Sequence, residues 1–261
     1  MAFINGFLLC WYALTALSLL YLIYDQITNT PSHWVMSLAW ALVILYTGPL
    51  GLFFYFVSCR QPFPGSHDKF IHAHWKQAFG SEIHCVAGDA TAIIITAAVL
   101  HYFELPNGIE AIIEYCAAYL FGLLIFQALF MLTLFHNYWE AVRKTVFVET
   151  VSMNMVMAGM IPLILLFRTQ YPITSDPTRP YFWGVMSLAT FVAFLLAYPI
   201  NSWMVAKGIK HGMMSRDTEH EHMHEMGSVS LGKQTSLVLR TYAFLIAVIY
   251  LCSFAVPVRF S

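Results

Sequence analysis

The chain has 261 residues, of which 59% are hydrophobic and only 10% are charged, and its mean hydropathy is +0.66. Soluble domains carry about 25% charged residues, so this composition excludes an ordinary soluble domain and predicts an integral membrane protein whose first partner is the lipid bilayer. A net charge of −1 gives no general attraction for phosphate backbones, and we expect no nucleic-acid partner.

Seven apolar segments are each close to the 20 or so residues that a helix needs to span a bilayer. They cover residues 4–24, 34–57, 83–103, 109–135, 145–167, 182–205 and 237–256. The dipeptide Gly48-Pro49 predicts a kink inside the second segment. The sequence therefore predicts an all-α, polytopic bundle of seven transmembrane helices that forms a single transmembrane domain over residues 1–261.

The basic residues indicate an orientation for this bundle. With the N-terminus on one side, ten of the 13 lysines and arginines fall on that same side. Cytoplasmic loops carry such an excess, so we expect a cytoplasmic N-terminus. The ten residues are Arg60, Lys69, Lys76, Arg143, Lys144, Lys207, Lys210, Arg216, Lys233 and Arg240.

The stretch Glu82-Ile-His-Cys-Val-Ala-Gly-Asp89 opens the third apolar segment and carries side chains that bind metals or protons. Residues three and four apart share a helix face, so Glu82, Cys85 and Asp89 form one stripe, and His84 lies about 100° round from Cys85. An ionisable group such as Asp89 is costly inside an apolar helix and is a functional-site candidate. The alternative is that Asp89 pairs with another polar group and holds two helices together.

On the fifth segment, Glu149, Met153 and Met157 recur at helical spacing and predict a second stripe. Thiolates and thioethers suit Cu(I), whereas carboxylates and imidazoles suit harder divalent ions. The sequence thus predicts a transition-metal site near the cytoplasmic face, with copper as the favoured ion. Its ligands would be His84, Cys85, Asp89, Glu149 and Met153. The alternative for the methionines is core packing, because Met fills irregular gaps.

Further residues are possible accessory ligands of this site: Met157, Asn201, His136, His211, His220, His222 and His224. The composition of residues 212–234 predicts a mobile cytoplasmic loop that is rich in His and Met. Within this loop, residues 218–226 alternate histidine with other residues and would capture metal ions. For these loop histidines the alternative is simple solvation. His136 would otherwise form an interfacial pair with Glu140, and Asn201 would cap the bend at Pro199.

On the opposite side, Glu110 and Glu114 share a face at the start of the fourth segment, near His101. These three side chains would form the outer mouth of a cation path. The alternative is a solvated helix N-terminus whose acidic residues are favoured by the helix dipole.

Several motifs resemble a bacterial membrane family known as domain of unknown function 4396. They are His84-Cys85-x-Ala87-Gly88, Trp34-Val-Met followed by Gly48-Pro-Leu50, Tyr119-Leu-Phe-Gly122, and Tyr198-Pro-Ile-Asn-x-Trp203 followed by Gly208-Ile-Lys210. The resemblance extends from about Trp34 to His211. Members often carry a second cysteine where this chain has Asp89. The resemblance implies a recurring His-Cys site in a helical bundle, a bacterial inner membrane as the location, and no established activity.

These observations favour a membrane protein that binds a transition metal, most simply copper, for homeostasis, transport or insertion of the metal. One alternative is a membrane oxidoreductase that uses the same side chains for a redox metal or haem, so the sequence leaves open whether the protein is an enzyme and assigns no catalytic residue. A second alternative is a structural or assembly subunit with a partner in a larger membrane complex.

Overall fold

The computed structural model describes residues 2–30, 32–132, 137–212 and 229–261, and all regular secondary structure within these ranges is helical. The helices are α1 (Ala2–Thr28), α2 (Trp34–Thr47), α3 (Pro49–Ser58), α4 (His67–Ile71), α5 (His74–Leu100), α6 (Asn107–Phe121), α7 (Ala128–Met131), α8 (Tyr138–Gln170), α9 (Pro180–Ala206) and α10 (Leu231–Ser253). A π-helical turn (Gly122–Gln127) joins α6 to α7, and a 3-10 turn (Pro172–Ser175) follows α8.

Six helical stretches in the described ranges are long and apolar enough to cross a membrane: Phe3–Thr28, His74–Leu100, Asn107–Met131, Tyr138–Gln170, Pro180–Ala206 and Leu231–Ser253. The predicted all-α, multi-pass membrane bundle is therefore confirmed. The remaining predicted span, 34–57, is divided into two shorter helices because Pro49 cannot donate an N–H to the preceding turn. The predicted kink is thus a helix break, and a count of seven spans stays a prediction.

Two central helices begin earlier than their apolar segments do. α5 begins at His74, nine residues before the predicted start at residue 83, and its residues 78–81 are buried in the bundle although three of the four are small. α8 begins at Tyr138, where the Asn137 side chain accepts hydrogen bonds from the backbone N–H groups of Trp139 and Glu140. As a result Cys85 is the twelfth and Asp89 the sixteenth of the 27 residues of α5, near its middle.

Helices α5 and α8 form the centre of the bundle, and α9 packs against both. Gly159 of α8 lies so close to Ala193 of α9 that an added Cβ would meet the backbone of α9, which is the close approach that small residues allow between membrane helices. The peripheral helices α1 and α10 are mostly exposed along their lengths. Met153, Met157 and Met160 lie fully buried in the main apolar cluster.

Candidate functional site

Seven polar or thiol side chains come together in the middle of the bundle, and none of them is more than 6% exposed. They extend from α5, α8, α9 and the turn that follows α9. We call this group the polar core, and its members are Glu82, Cys85, Asp89, Glu149, Ser152, Asn201 and Lys210. The predicted stripe of Glu82, Cys85 and Asp89 on α5 thus faces a common set of polar partners.

Lys210 enters the polar core because the chain reverses direction at the end of α9. Gly208 adopts a φ of 64°, a left-handed conformation that favours glycine. Its N–H bonds the Val205 carbonyl at 3.0 Å, and the Ile209 N–H bonds the Met204 carbonyl at 2.9 Å, which is the Schellman arrangement. Ile209 then packs with Met204 in a small apolar cluster, and the next residue, Lys210, is directed into the bundle.

The Lys210 ammonium has three acceptors for its three protons. Its Nζ donates to the Cys85 Sγ at 2.8 Å and to the Ser152 Oγ at 3.4 Å, and it also donates to the Asn201 Oδ1. Burial disfavours the charged form, but Cys85 and the nearby carboxyl groups of Glu82 and Glu149 more than offset it, so the pKa of Lys210 lies above its ordinary value. Lys210 is therefore a buried cation.

Asn201 links this cation to the first carboxyl group of the core. Its amide nitrogen donates to the Glu82 Oε2 and, at 2.8 Å, to the Ser152 Oγ, while its oxygen accepts from Lys210. Asn201 is fully buried on α9, two residues after Pro199, which lies inside this helix. One amide side chain thus connects α5, α8 and the turn after α9.

Asp89 and Glu149 form a second, adjacent part of the polar core. Their carboxyl groups lie within hydrogen-bond contact, which becomes attractive when one of them carries a proton. The Cys85 Sγ lies 3.8 Å from the Glu149 Oε2. Gly122 closes this part of the site, because an added Cβ there would collide with an oxygen of Asp89 and an oxygen of Glu149.

The polar core contains more acid than base. Glu82, Asp89 and Glu149 contribute up to three negative charges and Lys210 contributes one positive charge, so full ionisation would leave a net charge of 1 − 3 = −2 among these groups. Four carboxyl oxygens (one of Glu82, both of Asp89, one of Glu149) also lack a hydrogen-bond donor among the described residues. Because unpaired buried charge is expensive, protons or another cation must compensate this surplus.

His84 takes a different direction from its neighbour Cys85. Its Nε2 lies 3.1 Å from the Phe126 carbonyl oxygen, in the π-helical turn, and its ring centroid lies 4.5 Å from that of Phe130. A π-helical turn loosens the regular hydrogen-bond ladder and is frequent at functional sites. His84 therefore supports the turn that carries Gly122, and its Nε2 is engaged there rather than with Cys85.

The predicted metal ligands are thus only partly brought together. Cys85, Asp89, Glu149 and the accessory residue Asn201 meet in the polar core, whereas Met153 and Met157 belong to the apolar cluster. His211 follows Lys210 and is half-buried. Four of the predicted accessory histidines lie outside the described residues: His136, His220, His222 and His224. Most of the predicted loop 212–234 lies outside them as well, and its last residues, 231–234, belong to α10. Within the described ranges, no three His, Cys, Asp or Glu side chains are grouped as metal ligands.

The sequence analysis missed the central position of Lys210 and Ser152. Lys210 was counted among the loop residues that set the orientation, because a lysine beyond the end of an apolar segment is usually solvated. The sequence did contain a signal for the turn after α9, namely a glycine, an apolar residue and a lysine that follow the helix in the motif Gly208-Ile-Lys210. That signal predicts the turn, but not what the lysine contacts.

Two further buried charge clusters lie away from the polar core. Arg168 bonds Glu110 and Glu114, each at 3.2 Å, and the Ala97 carbonyl, so the predicted outer acidic mouth is an ion-paired junction of α5, α6 and α8. Asp25 accepts hydrogen bonds from Tyr55, Thr30 and Arg60 at 2.7–3.0 Å. This second cluster ties the end of α1 to the end of α3.

The fold and the site define a class: a polytopic helical membrane protein whose central helices enclose a buried group of ionisable side chains. A family model described as Domain of unknown function (DUF4396) matches residues 74–210, which is 137 of 261 residues, or just over half of the chain. The chain belongs to this family. No curated protein and no solved structure matches it.

The matched residues begin at α5 and end at Lys210, so they contain every member of the polar core. Helices α1–α4 and α10 lie outside the match, as do the motifs at Trp34 and Gly48 that the resemblance included. The segment shared with the family is thus the part of the bundle that builds the site.

Proposed function

We propose that this protein exchanges protons for a metal cation at the polar core and so acts in cation transport or homeostasis. The observation that supports it is the burial of three carboxyl groups, Glu82, Asp89 and Glu149, beside a single lysine, Lys210, because full ionisation of this group would leave two uncompensated negative charges. Two protons compensate the surplus in one state of the site, and a cation that displaces protons compensates it in another. Intramembrane carboxyl groups serve as proton and ion sites in many pumps and transporters.

The residues have distinct roles in this proposal. Asp89 and Glu149 hold the exchangeable protons, since their carboxyl groups are neighbours and three of their four oxygens lack donors among the described residues. Lys210 supplies a fixed positive charge that keeps the site from binding cations too tightly. Asn201 fixes the positions of the Lys210 and Glu82 side chains by hydrogen bonds to both. His84 maintains the π-helical turn against which the carboxyl pair packs.

Copper is the first cargo to test, because Cys85 is a soft ligand at the edge of the carboxyl pair. Cation binding requires rearrangement, since the Cys85 sulfur accepts a hydrogen bond from Lys210 and the described residues hold no preformed group of three His, Cys, Asp or Glu ligands. From the distribution of lysines and arginines we propose that the N-terminus lies in the cytoplasm, and from the family resemblance that the membrane is a bacterial inner membrane.

Exchange is tested in liposomes that contain the full-length protein and an internal pH-sensitive dye. Cuprous, zinc and manganous ions are added separately outside. Wild type is compared with an Asp89→Asn, Glu149→Gln double variant and with Glu104→Gln, which removes an exposed carboxyl group. We expect one of the ions to move protons in wild type and Glu104→Gln only. Proton movement in none of the three proteins, or equal movement in all of them, would refute exchange at this site.

Elemental analysis separates binding at the polar core from capture by the histidine-rich loop. The protein is purified without a histidine tag, as wild type, as a Cys85→Ala, Asp89→Ala double variant, and as a variant that lacks residues 218–226. About one metal ion per chain that is lost only in the double variant supports the polar core. Metal lost only with 218–226 assigns binding to the loop, and absence of metal in every sample favours the structural-subunit alternative.

A further inference from the structure

Cys85 and Lys210 form a close pair of a thiol and an ammonium group, and the exchange of protons does not require this contact. The Lys210 Nζ lies 2.8 Å from the Cys85 Sγ, and both side chains are buried, at 6% and 2% exposed. The two residues are 125 positions apart, on α5 and on the turn after α9. From this geometry we propose that Cys85 and Lys210 are a modification site at which a peroxide joins the sulfur to the nitrogen in a reversible covalent bridge.

A positive charge lies beside the sulfur. The Lys210 ammonium donates a hydrogen bond to the Cys85 Sγ, and it stabilises the thiolate, which is the nucleophilic form of cysteine, relative to a buried cysteine that has no such neighbour. The Glu149 Oε2, 3.8 Å from the same sulfur, is a second hydrogen-bond partner and accepts from the thiol, whereas Lys210 donates to it. Other cysteines have different surroundings: Cys10 and Cys116 are exposed on α1 and α6, and the Cys252 sulfur contacts the Pro162 carbonyl at 3.7 Å.

The chemistry proceeds in two balanced steps with hydrogen peroxide as the oxidant. The Cys85 sulfur attacks one peroxide oxygen, so that an S–O bond forms, the O–O bond breaks, and the other oxygen leaves as water with the thiol proton. The product is a sulfenic acid, which condenses with nearby nucleophiles. Hydrogen peroxide is neutral and nearly as small as water, and the polar core offers it carboxyl oxygens that lack donors among the described residues.

In the second step Lys210 captures the sulfenic acid. The ammonium passes one proton to a carboxylate of the polar core, and the free amine attacks the sulfur. An S–N bond forms, the S–O bond breaks, and a second water leaves. In total one thiol, one amine and one hydrogen peroxide give one sulfenamide and two waters. The sulfur is oxidised, the peroxide oxygens are reduced, and the two linked residues lose two hydrogen atoms.

This bridge would alter the site in two ways. It would remove the positive charge of Lys210, because a sulfenamide nitrogen is neutral, and it would occupy the Cys85 sulfur. It would also fix the turn at Gly208 to the middle of α5. A thiol reductant would reverse both effects by attacking the sulfur and releasing the amine. The proposal does not depend on cation exchange, since it needs only the Cys85–Lys210 contact.

The test is mass spectrometry of the full-length protein treated in detergent with hydrogen peroxide, then denatured, alkylated and digested with chymotrypsin. We expect a linked pair of peptides, one with Cys85 and one with Lys210, whose mass is two hydrogen atoms below the sum of the free peptides. Dithiothreitol added before digestion should eliminate this species. Cys252→Ser should leave it unchanged, because Cys252 does not contact Lys210 within the described structure.

Lys210→Arg tests the role of the amine while it keeps a positive charge beside the sulfur. In this variant we expect the linked species to be lost and a dimedone adduct of the Cys85 sulfenic acid to increase. In wild type, a dimedone adduct or a sulfonic acid at Cys85 with Lys210 unmodified would overturn the proposal. An unreacted Cys85, under conditions that oxidise the exposed Cys10 and Cys116, would overturn it as well.

Discussion

Lys210 donates a hydrogen bond to Asn201, nine residues earlier, across the turn at Gly208, and so inserts the only cation of the polar core among three carboxyl groups. The same amide of Asn201 donates to Glu82, and the same ammonium donates to Cys85. The end of α9 is therefore attached to α5 by charge-assisted hydrogen bonds rather than by apolar contact alone. Such bonds are about twice as strong as neutral ones.

Loss of this cation should destabilise the bundle. Lys210→Met leaves three carboxyl groups with no positive partner in the polar core, and removal of one partner of a buried charge pair costs about 3–5 kcal/mol. Thermal unfolding in detergent should show a lower Tm for Lys210→Met and an unchanged Tm for Lys207→Met, which removes an exposed lysine three residues earlier.

A second substitution distinguishes charge imbalance from lost packing in that experiment. Glu82→Gln removes one negative charge but keeps the shape of the side chain and a hydrogen-bond acceptor for Asn201. The Lys210→Met, Glu82→Gln double variant should therefore recover part of the lost Tm. Additive losses from the two substitutions would contradict the electrostatic explanation.

Gly122 should tolerate no side chain. Gly122→Ala introduces a Cβ into the space of the Asp89 and Glu149 carboxyl oxygens, and overpacking of this kind costs about 1–3 kcal/mol. Gly6→Ala is the matched control, because its Cβ on α1 meets no atom within 4 Å and a helical Gly→Ala change is favourable there. Thermal unfolding should rank Gly122→Ala below wild type and Gly6→Ala at or above it. The reverse order would mean that the carboxyl pair does not pack against the π-helical turn.

The cluster at Asp25 should hold the first helices together. Asp25→Asn replaces one carboxylate oxygen with an NH2 group that cannot accept, so either the bonds from Tyr55 and Thr30 to Oδ2 or the bond from Arg60 to Oδ1 are lost, together with the negative charge beside Arg60. An unsatisfied buried polar group costs about 1–3 kcal/mol. Limited proteolysis should therefore cut residues 59–66 faster in Asp25→Asn than in wild type, whereas Glu104→Gln, at an exposed site, should match wild type. Equal cleavage in all three proteins would show that the cluster does not restrain this loop.

Much of the bundle follows from the sequence, because apolar length decides where a membrane helix lies. The helix face that carries Glu82, Cys85 and Asp89 was predictable from spacing, and the structure brings Cys85 to within 3.8 Å of Glu149. The break at Gly48-Pro49 was equally predictable from the missing N–H of proline. These features depend on local geometry alone.

Features that depend on distant contacts were not predictable. The start of α5 was placed too late, because five of residues 76–81 are polar or small and only contacts with other helices reveal that the helix continues through them. Lys210 was assigned to a loop, because its burial depends on α5 and α8 approaching the turn after α9. The direction of His84 depends on the π-helical turn, which no apolar pattern signals.

Asp89→Asn distinguishes a role of Asp89 in proton exchange from a role in holding α5 and α8 together. Asn keeps the size of the side chain and removes one of the surplus negative charges, so we expect the Tm in detergent to stay equal to or exceed that of wild type. The same variant should lose cation-dependent proton movement in liposomes, because the carboxyl pair no longer holds an exchangeable proton on both members. If Asp89 instead serves mainly to join α5 to α8, the substitution should lower the Tm by several degrees and reduce transport only in proportion to the folded fraction. Circular dichroism measures the Tm, and dye fluorescence on the same preparation measures proton movement. A reduced Tm with unchanged transport per folded molecule would reject the exchange site.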